Sequence, residues 1–151
     1  MMDEPSFPGL AAFWRLYREN DELYHGLAVS LGLADSDMWV LHILSEAGSP
    51  LTPATMCATW SFSKQTLHSS LVKLEKAGYL LIEASSENRK NKWVSLTEFG
   101  KQFARTNVSP VFVAQERAFS RLSPEERETL VRLSQKQLAF VREELGKHSR
   151  S

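Results

Sequence analysis

The chain has 151 residues, 42% of them hydrophobic and 24% charged. That is the length of one ordinary domain, with enough apolar matter for a core, and it argues against wholesale disorder. The 18 basic and 18 acidic side chains balance, so the formal net charge is zero and the total shows no bias toward nucleic acid.

Cys57 is the one cysteine, which excludes an internal disulfide and a cysteine-based zinc cage. The longest uncharged run, Ala47 to Ser63, holds two prolines, three threonines and three serines, so it is no membrane span. The first five residues are acidic and lack the layout of a signal peptide. A soluble, cytoplasmic protein is expected.

The zero hides an asymmetry. Residues 1–60 hold 2 basic and 8 acidic side chains, a net −6. Residues 61–105 hold 8 basic and 4 acidic, for +4, and residues 106–151 hold 8 and 6, for +2. The middle of the chain is a basic module.

Leu10 to Leu31 reads as one long helix of about 33 Å. Leu10, Trp14, Tyr17, Tyr24, Ala28 and Leu31 form a seam that Phe13, Leu16, Leu23 and Leu27 widen. Such a helix needs more partner surface than one small domain offers, which favours dimer packing over wrapping by its own domain.

A second helix is expected after a cap at Asp35 or Ser36, with Trp39, Val40, Ile43 and Leu44 inward and Gly48 with Pro50 at its end. A third, short one opens at Thr52 with Pro53 in its first position and stops near Trp60. Ser63 caps a fourth, with a staple from Phe62 to Leu67 and Gly78 beyond its end.

Leu80 to Ala84 and Lys92 to Leu96 read as strands around a seven-residue polar tip, a β-hairpin. Thr97 caps a fifth helix carrying Phe99 and Phe103, in which Pro110 should impose a kink or a split. Ser123, Pro124 and Glu126 spell a capping box for the last helix, which runs toward Gly146. The expected fold class is mainly α with a small β-hairpin wing: a winged helix-turn-helix over 35–96, with long dimerisation helices over 1–34 and 97–151 of a single domain.

The fourth helix is the candidate reader of DNA. With Leu67, Leu71 and Leu74 inward, steps of about 100° put Gln65, Ser69, Val72 and Lys76 opposite. Its first turns present Ser63, Lys64, Gln65, Thr66, His68 and Ser69, with Lys73 on the flank and no acid among them. An amide can read adenine, while hydroxyls and amines suit bases and phosphates. Such a face is as often merely solvated. The hairpin tip tilts the balance, because Asn88, Arg89, Lys90 and Lys92 bring cations that can follow phosphates or enter a minor groove.

Ser63-Lys64-Gln65-Thr66, Leu74-Glu75-Lys76-Ala77-Gly78-Tyr79-Leu80 and Val94-Ser95-Leu96-Thr97-Glu98-Phe99-Gly100 resemble the MarR family of bacterial transcriptional regulators. Leu122-Ser123-Pro124-Glu125-Glu126-Arg127 resembles the start of that family's last helix. The resemblance covers nearly the whole chain. It implies a homodimer that reads a roughly palindromic operator with two recognition helices and two wings. It also implies a pocket for a small, often aromatic, effector. Asn88 stands where the family's wing usually has aspartate, and Ser69 where its recognition helix often has arginine.

Trp14, Tyr17, Trp39 and His42 are the candidate effector pocket, although aromatics at helical spacing more often form core. Cys57, between Met56 and Ala58, reads as a buried structural thiol and not a redox sensor. The four histidines show no metal spacing. No nucleophile–base pair, phosphate loop or paired acids point to an enzyme, and no cofactor is expected. The alternative function is a winged-helix protein-interaction module that does not bind DNA.

Overall fold

The computed structural model describes residues 9–87 and 91–149. The helices are α1 Leu10–Ser30, α2 Asp35–Ala47, α3 Pro53–Trp60 and α4 Lys64–Lys76. Strands β1 Leu80–Ala84 and β2 Lys92–Leu96 follow, then α5 Glu98–Phe103, a π turn Ala104–Val108, α6 Ser109–Ser120 and α7 Pro124–His148. The expected class, helical with one small hairpin, is the observed one. Two compact units result, residues 1–110 and residues 111–151.

Local chemistry builds the α3–α4 part of the first unit. Thr52 caps α3 by accepting the Thr55 N–H at 3.2 Å, and Pro53 fills the first turn, where its missing donor costs nothing. Ser63 caps α4 by accepting the Thr66 N–H at 3.1 Å. The helix stops at Gly78, whose φ of 87° only glycine adopts cheaply. Gly78 N–H donates to Glu75 and Tyr79 N–H to Leu74, both at 3.0 Å, so the last carbonyls are satisfied as in a Schellman motif.

β1 and β2 pair antiparallel with Leu80 opposite Leu96 and Ala84 opposite Lys92. Leu80 and Val94 point into the core. A third segment joins them: Leu51 exchanges both backbone hydrogen bonds with Val94, at 2.9 and 2.8 Å. The sequence offers no sign of this bridge, because a single paired residue has no periodicity. The core of this unit combines Met38, Val40 and Leu41 of α2 with Met56, Leu67, Leu74 and Val94, all at most 1% exposed.

Three expectations change in detail, and the split expected near Pro110 takes the form of a π turn. The cap of α2 is not Asp35 or Ser36 but Ala34, which has no side-chain acceptor; the Asp37 carboxylate instead reaches back to the Ala34 N–H at 2.9 Å. The first helix ends at Ser30, with Leu31 as its C-cap. Pro110 occupies the second position of α6, and a π turn precedes it. Proline donates no hydrogen bond and clashes with the carbonyl four residues back. The wider turn accommodates that, with Ser109 N–H donating to Ala104. Gly146 does not end the last helix, which continues to His148, because nothing there demands a left-handed residue.

The second unit carries α7. Its capping box forms as read: Glu126 N–H donates to Ser123 Oγ at 3.1 Å, and Ser123 N–H donates to Glu126 Oε2 at 2.8 Å. No α7 residue is buried. Leu130, Leu133, Leu138, Phe140 and Leu145 are all about half exposed or more, at 47–61%. Along α1, Leu16 and Leu23 are 66% and 69% exposed. Among the described helices, no single one is long and apolar enough to cross a membrane.

Candidate nucleic-acid interface

Helix α4 divides cleanly into two faces. Leu67, Ser70, Leu71 and Leu74 are buried, while Ser63, Lys64, Gln65, Thr66, His68 and Ser69 are exposed. The apolar face is pinned by burial. Two polar ties to α2 then set its rotation: Ser36 Oγ and Ser70 Oγ lie 2.7 Å apart, and Lys73 Nζ lies 2.7 Å from Asp37 Oδ2. Ser70 is 2% exposed and Asp37 1%, so both ties originate inside the unit.

These ties sort the candidate residues. Ser63 is occupied, since its hydroxyl donates to Thr66 Oγ1 at 2.8 Å while accepting the Thr66 N–H. Lys73 turns toward Asp37 and serves as its counter-ion, so the ammonium read from sequence as a flanking DNA contact is engaged in holding α4 to α2. Lys64, Gln65, Thr66, His68 and Ser69 remain on the outer face. Val72, 52% exposed, shares that face.

Of the wing residues, Asn88, Arg89 and Lys90 lie outside the described residues. Lys92 is exposed at the start of β2, opposite Ala84. Ser85 N–H donates to the Asn91 carbonyl at 2.8 Å and extends the pairing by one step toward the tip.

The wing connects back to α4 through Thr97. Its hydroxyl donates to the Gly78 carbonyl at 2.6 Å and accepts the Gly100 N–H at 3.0 Å. A Cβ on Gly100 would meet the Tyr79 carbonyl oxygen at 2.1 Å. Glycine is therefore required where α5 crosses the end of α4, and Thr97 ties the two together. The Tyr79 ring closes the corner, stacked on Phe99 with centroids 5.0 Å apart.

The four aromatic pocket candidates fall into two groups. Trp14 and Tyr17 associate with Phe13 on α1, with ring centroids about 6 Å apart. Trp39 and His42 associate with Trp60 at 5.8 and 6.2 Å, and Trp39 also with Tyr24 at 6.5 Å. Burial pushes the Tyr24 phenol above its ordinary pKa. Trp60 and Tyr24 join this group without a sequence signal for it; Trp60, at a helix end, has no repeat partner to mark it.

Cys57 is half-buried and not fully enclosed as expected; it lies in an open groove between α3 and α4 with Pro53 and Leu67. His25 has an acidic neighbour the spacing did not reveal, Asp35, 2.9 Å away. Among the described residues no three histidine, cysteine or acidic side chains gather as a metal site would need.

A family model described as MarR family matches residues 31–90. No curated protein matches the chain. Among solved structures, a MarR family regulator from Neisseria meningitidis is similar over 95% of this chain and 99% of its own, at 20% identity and a TM-score of 0.71. The S. aureus MepR–DNA complex is similar over 84% and 96%, at 19% identity and a TM-score of 0.69. The MarR regulator of Oenococcus oeni PSU-1 is similar over 86% and 98%, at 17% identity and a TM-score of 0.69. Residues 31–90 are thus similar to the MarR family, in a chain that has the winged-helix fold of the solved MarR regulators.

Proposed function

We propose that the chain is a cytoplasmic, sequence-specific DNA-binding regulator that represses transcription as a homodimer on a pseudo-palindromic operator. The observation that carries this reading is the outer face of α4. Lys64, Gln65, Thr66, His68 and Ser69 stand exposed with no acid among them, on a helix braced from behind by α2. A rigid helix with hydrogen-bonding side chains on its first turns is what the major groove requires. MepR, similar in fold, has been solved bound to DNA.

In this reading 35–96 is the DNA-binding lobe, and 1–34 and 97–151 are the dimerisation segments of one domain. Asn88, Arg89, Lys90 and Lys92 follow the phosphates beside the helix. The half-exposed leucines of α1 and α7 are covered by a second copy of the chain, because an apolar surface of that extent is costly in water. A small aromatic effector is accommodated near Trp39, His42 and Trp60. No catalytic chemistry is assigned.

The test is selection of bound fragments from the native genome, followed by anisotropy titration of the dimer on the recovered duplex. Enrichment of a two-fold symmetric site supports the reading. No retention on duplex DNA at low salt would replace it with the protein-interaction module.

A further inference from the structure

A concave surface of the first unit that the DNA-binding reading leaves unused is a cavity of about 480 Å³. It lies where the C-terminal end of α2, the following loop, the end of β2 and α5 with its π turn converge. Leu44, on its wall, is about 140° around α2 from Trp39, so the cavity faces away from the aromatic group. Its composition is distinctive. Two cations line it, Lys101 and Arg105, and no acid does. Ser45, Ser95 and Ser109 add hydroxyls. Leu44, Leu96 and Pro50 add apolar surface, and no aromatic side chain contributes.

The two cations are not equivalent. Lys101 Nζ lies 3.2 Å from Glu98 Oε1, whose side chain is 92% exposed. The Arg105 side chain makes no ion pair or hydrogen bond to any described residue. It sits in the π turn, a local widening that recurs at functional sites. An arginine fork in a cavity lined by hydroxyls, without a carboxylate of its own, is a receptor for an oxyanion. The volume exceeds what a bare inorganic ion fills and lies within the range of small-molecule sites.

We infer that this cavity binds a small organic anion, with a carboxylate held by Arg105 and Lys101 and a compact aliphatic body against Leu44 and Leu96. The serine hydroxyls complete the carboxylate's hydrogen bonds. Such a ligand ties α5 to the end of α2 and to β2.

Calorimetric titration of the whole chain without DNA tests this, so the outcome does not depend on the DNA-binding reading. The probes are cyclohexanecarboxylate and its uncharged amide, which share a body and differ in the head. The carboxylate should bind about ten-fold more tightly than the amide, and Arg105→Gln should remove that preference. Arg105 is exposed, so this variant should keep the wild-type melting curve, and Arg105→Lys should recover part of the affinity. Equal binding of the two probes overturns the inference. So does wild-type carboxylate affinity in Arg105→Gln, or no carboxylate binding at millimolar concentration. Loss of DNA affinity in Arg105→Gln with carboxylate binding unchanged would instead make Arg105 a phosphate contact, and overturns it too.

Discussion

Lys73 on α4 donates to Asp37 on α2, with Nζ 2.7 Å from Oδ2, and that carboxylate is only 1% exposed. Asp37 does two jobs through one oxygen, since Oδ2 also accepts the Ala34 N–H that starts α2. Its Oδ1 has no hydrogen-bond partner among the described residues. The charge compensation therefore comes from Lys73. Removing the lysine strands a buried carboxylate; a fully buried pair would lose about 3–5 kcal/mol. Lys73 is 57% exposed, so water recovers part of this. Lys73→Ala should then cost about 1–3 kcal/mol in chemical denaturation. A stable variant with a reduced salt dependence of DNA binding would show the lysine to be a phosphate contact instead.

Lys64 provides the contrast. It is exposed at the start of α4 with no ion pair among the described residues. Lys64→Ala should leave stability within about 0.5 kcal/mol. It should lower the slope of log affinity against log salt by about 1 if the ammonium meets a phosphate. Gln65→Ala should act differently again, relaxing preference at one base pair by about 1–3 kcal/mol. Affinities measured across all single-base variants of the selected site would separate the two behaviours.

Gly100→Ala should be destabilising, because Gly100 is buried against the Tyr79 backbone. The new Cβ would lie 2.1 Å from the Tyr79 carbonyl oxygen, and backbone on both sides must move. Overpacking of this kind costs about 1–3 kcal/mol. Thr97→Ala removes the cap of α5 and the tie to Gly78, a loss of about 1 kcal/mol. Urea midpoints for both variants check the order: the glycine substitution should be the worse.

Leu16 and Leu23 are exposed within one chain, so Leu16→Glu with Leu23→Glu should not disturb the fold of that chain. It should disrupt association. Sedimentation equilibrium should return twice the chain mass of 17.1 kDa for the wild type and a single chain mass for the double variant. A wild-type chain that sediments as a monomer at micromolar concentration removes the homodimer.

Arg89→Ala with Lys90→Ala should weaken DNA binding and leave the melting temperature in place, because charged hairpin tips contribute little to a core. Unchanged affinity in anisotropy would take the wing out of the mechanism.

Much of the fold could be read locally. Ser63, Thr52 and the Ser123–Glu126 pair act over three residues, and Gly78 acts within the turn it terminates. Their hydrogen bonds form between groups that any helical start or stop brings together, so residue type and spacing suffice. The two strands were legible for the same reason, as apolar stretches that flank a polar tip. The two-faced character of α4 followed from the period of Leu67, Leu71 and Leu74.

The roles of individual polar residues were not legible in the same way. Ser36 and Ser70 meet across 34 residues, and nothing near Lys73 in sequence announces Asp37. Leu51 joins β2, Gly100 crosses Tyr79, and Arg105 lines a cavity with Ser45 and Ser95 only once the helices have packed. The sequence alone determined most of the elements, the caps of α3, α4, α5 and α7 and which face of α4 is polar, because those depend on interactions within a few residues. Tertiary structure decided which cations remain unengaged on the outer face and which are tied inside, because a long flexible side chain takes its partner from whatever the burial of distant apolar faces brings within reach.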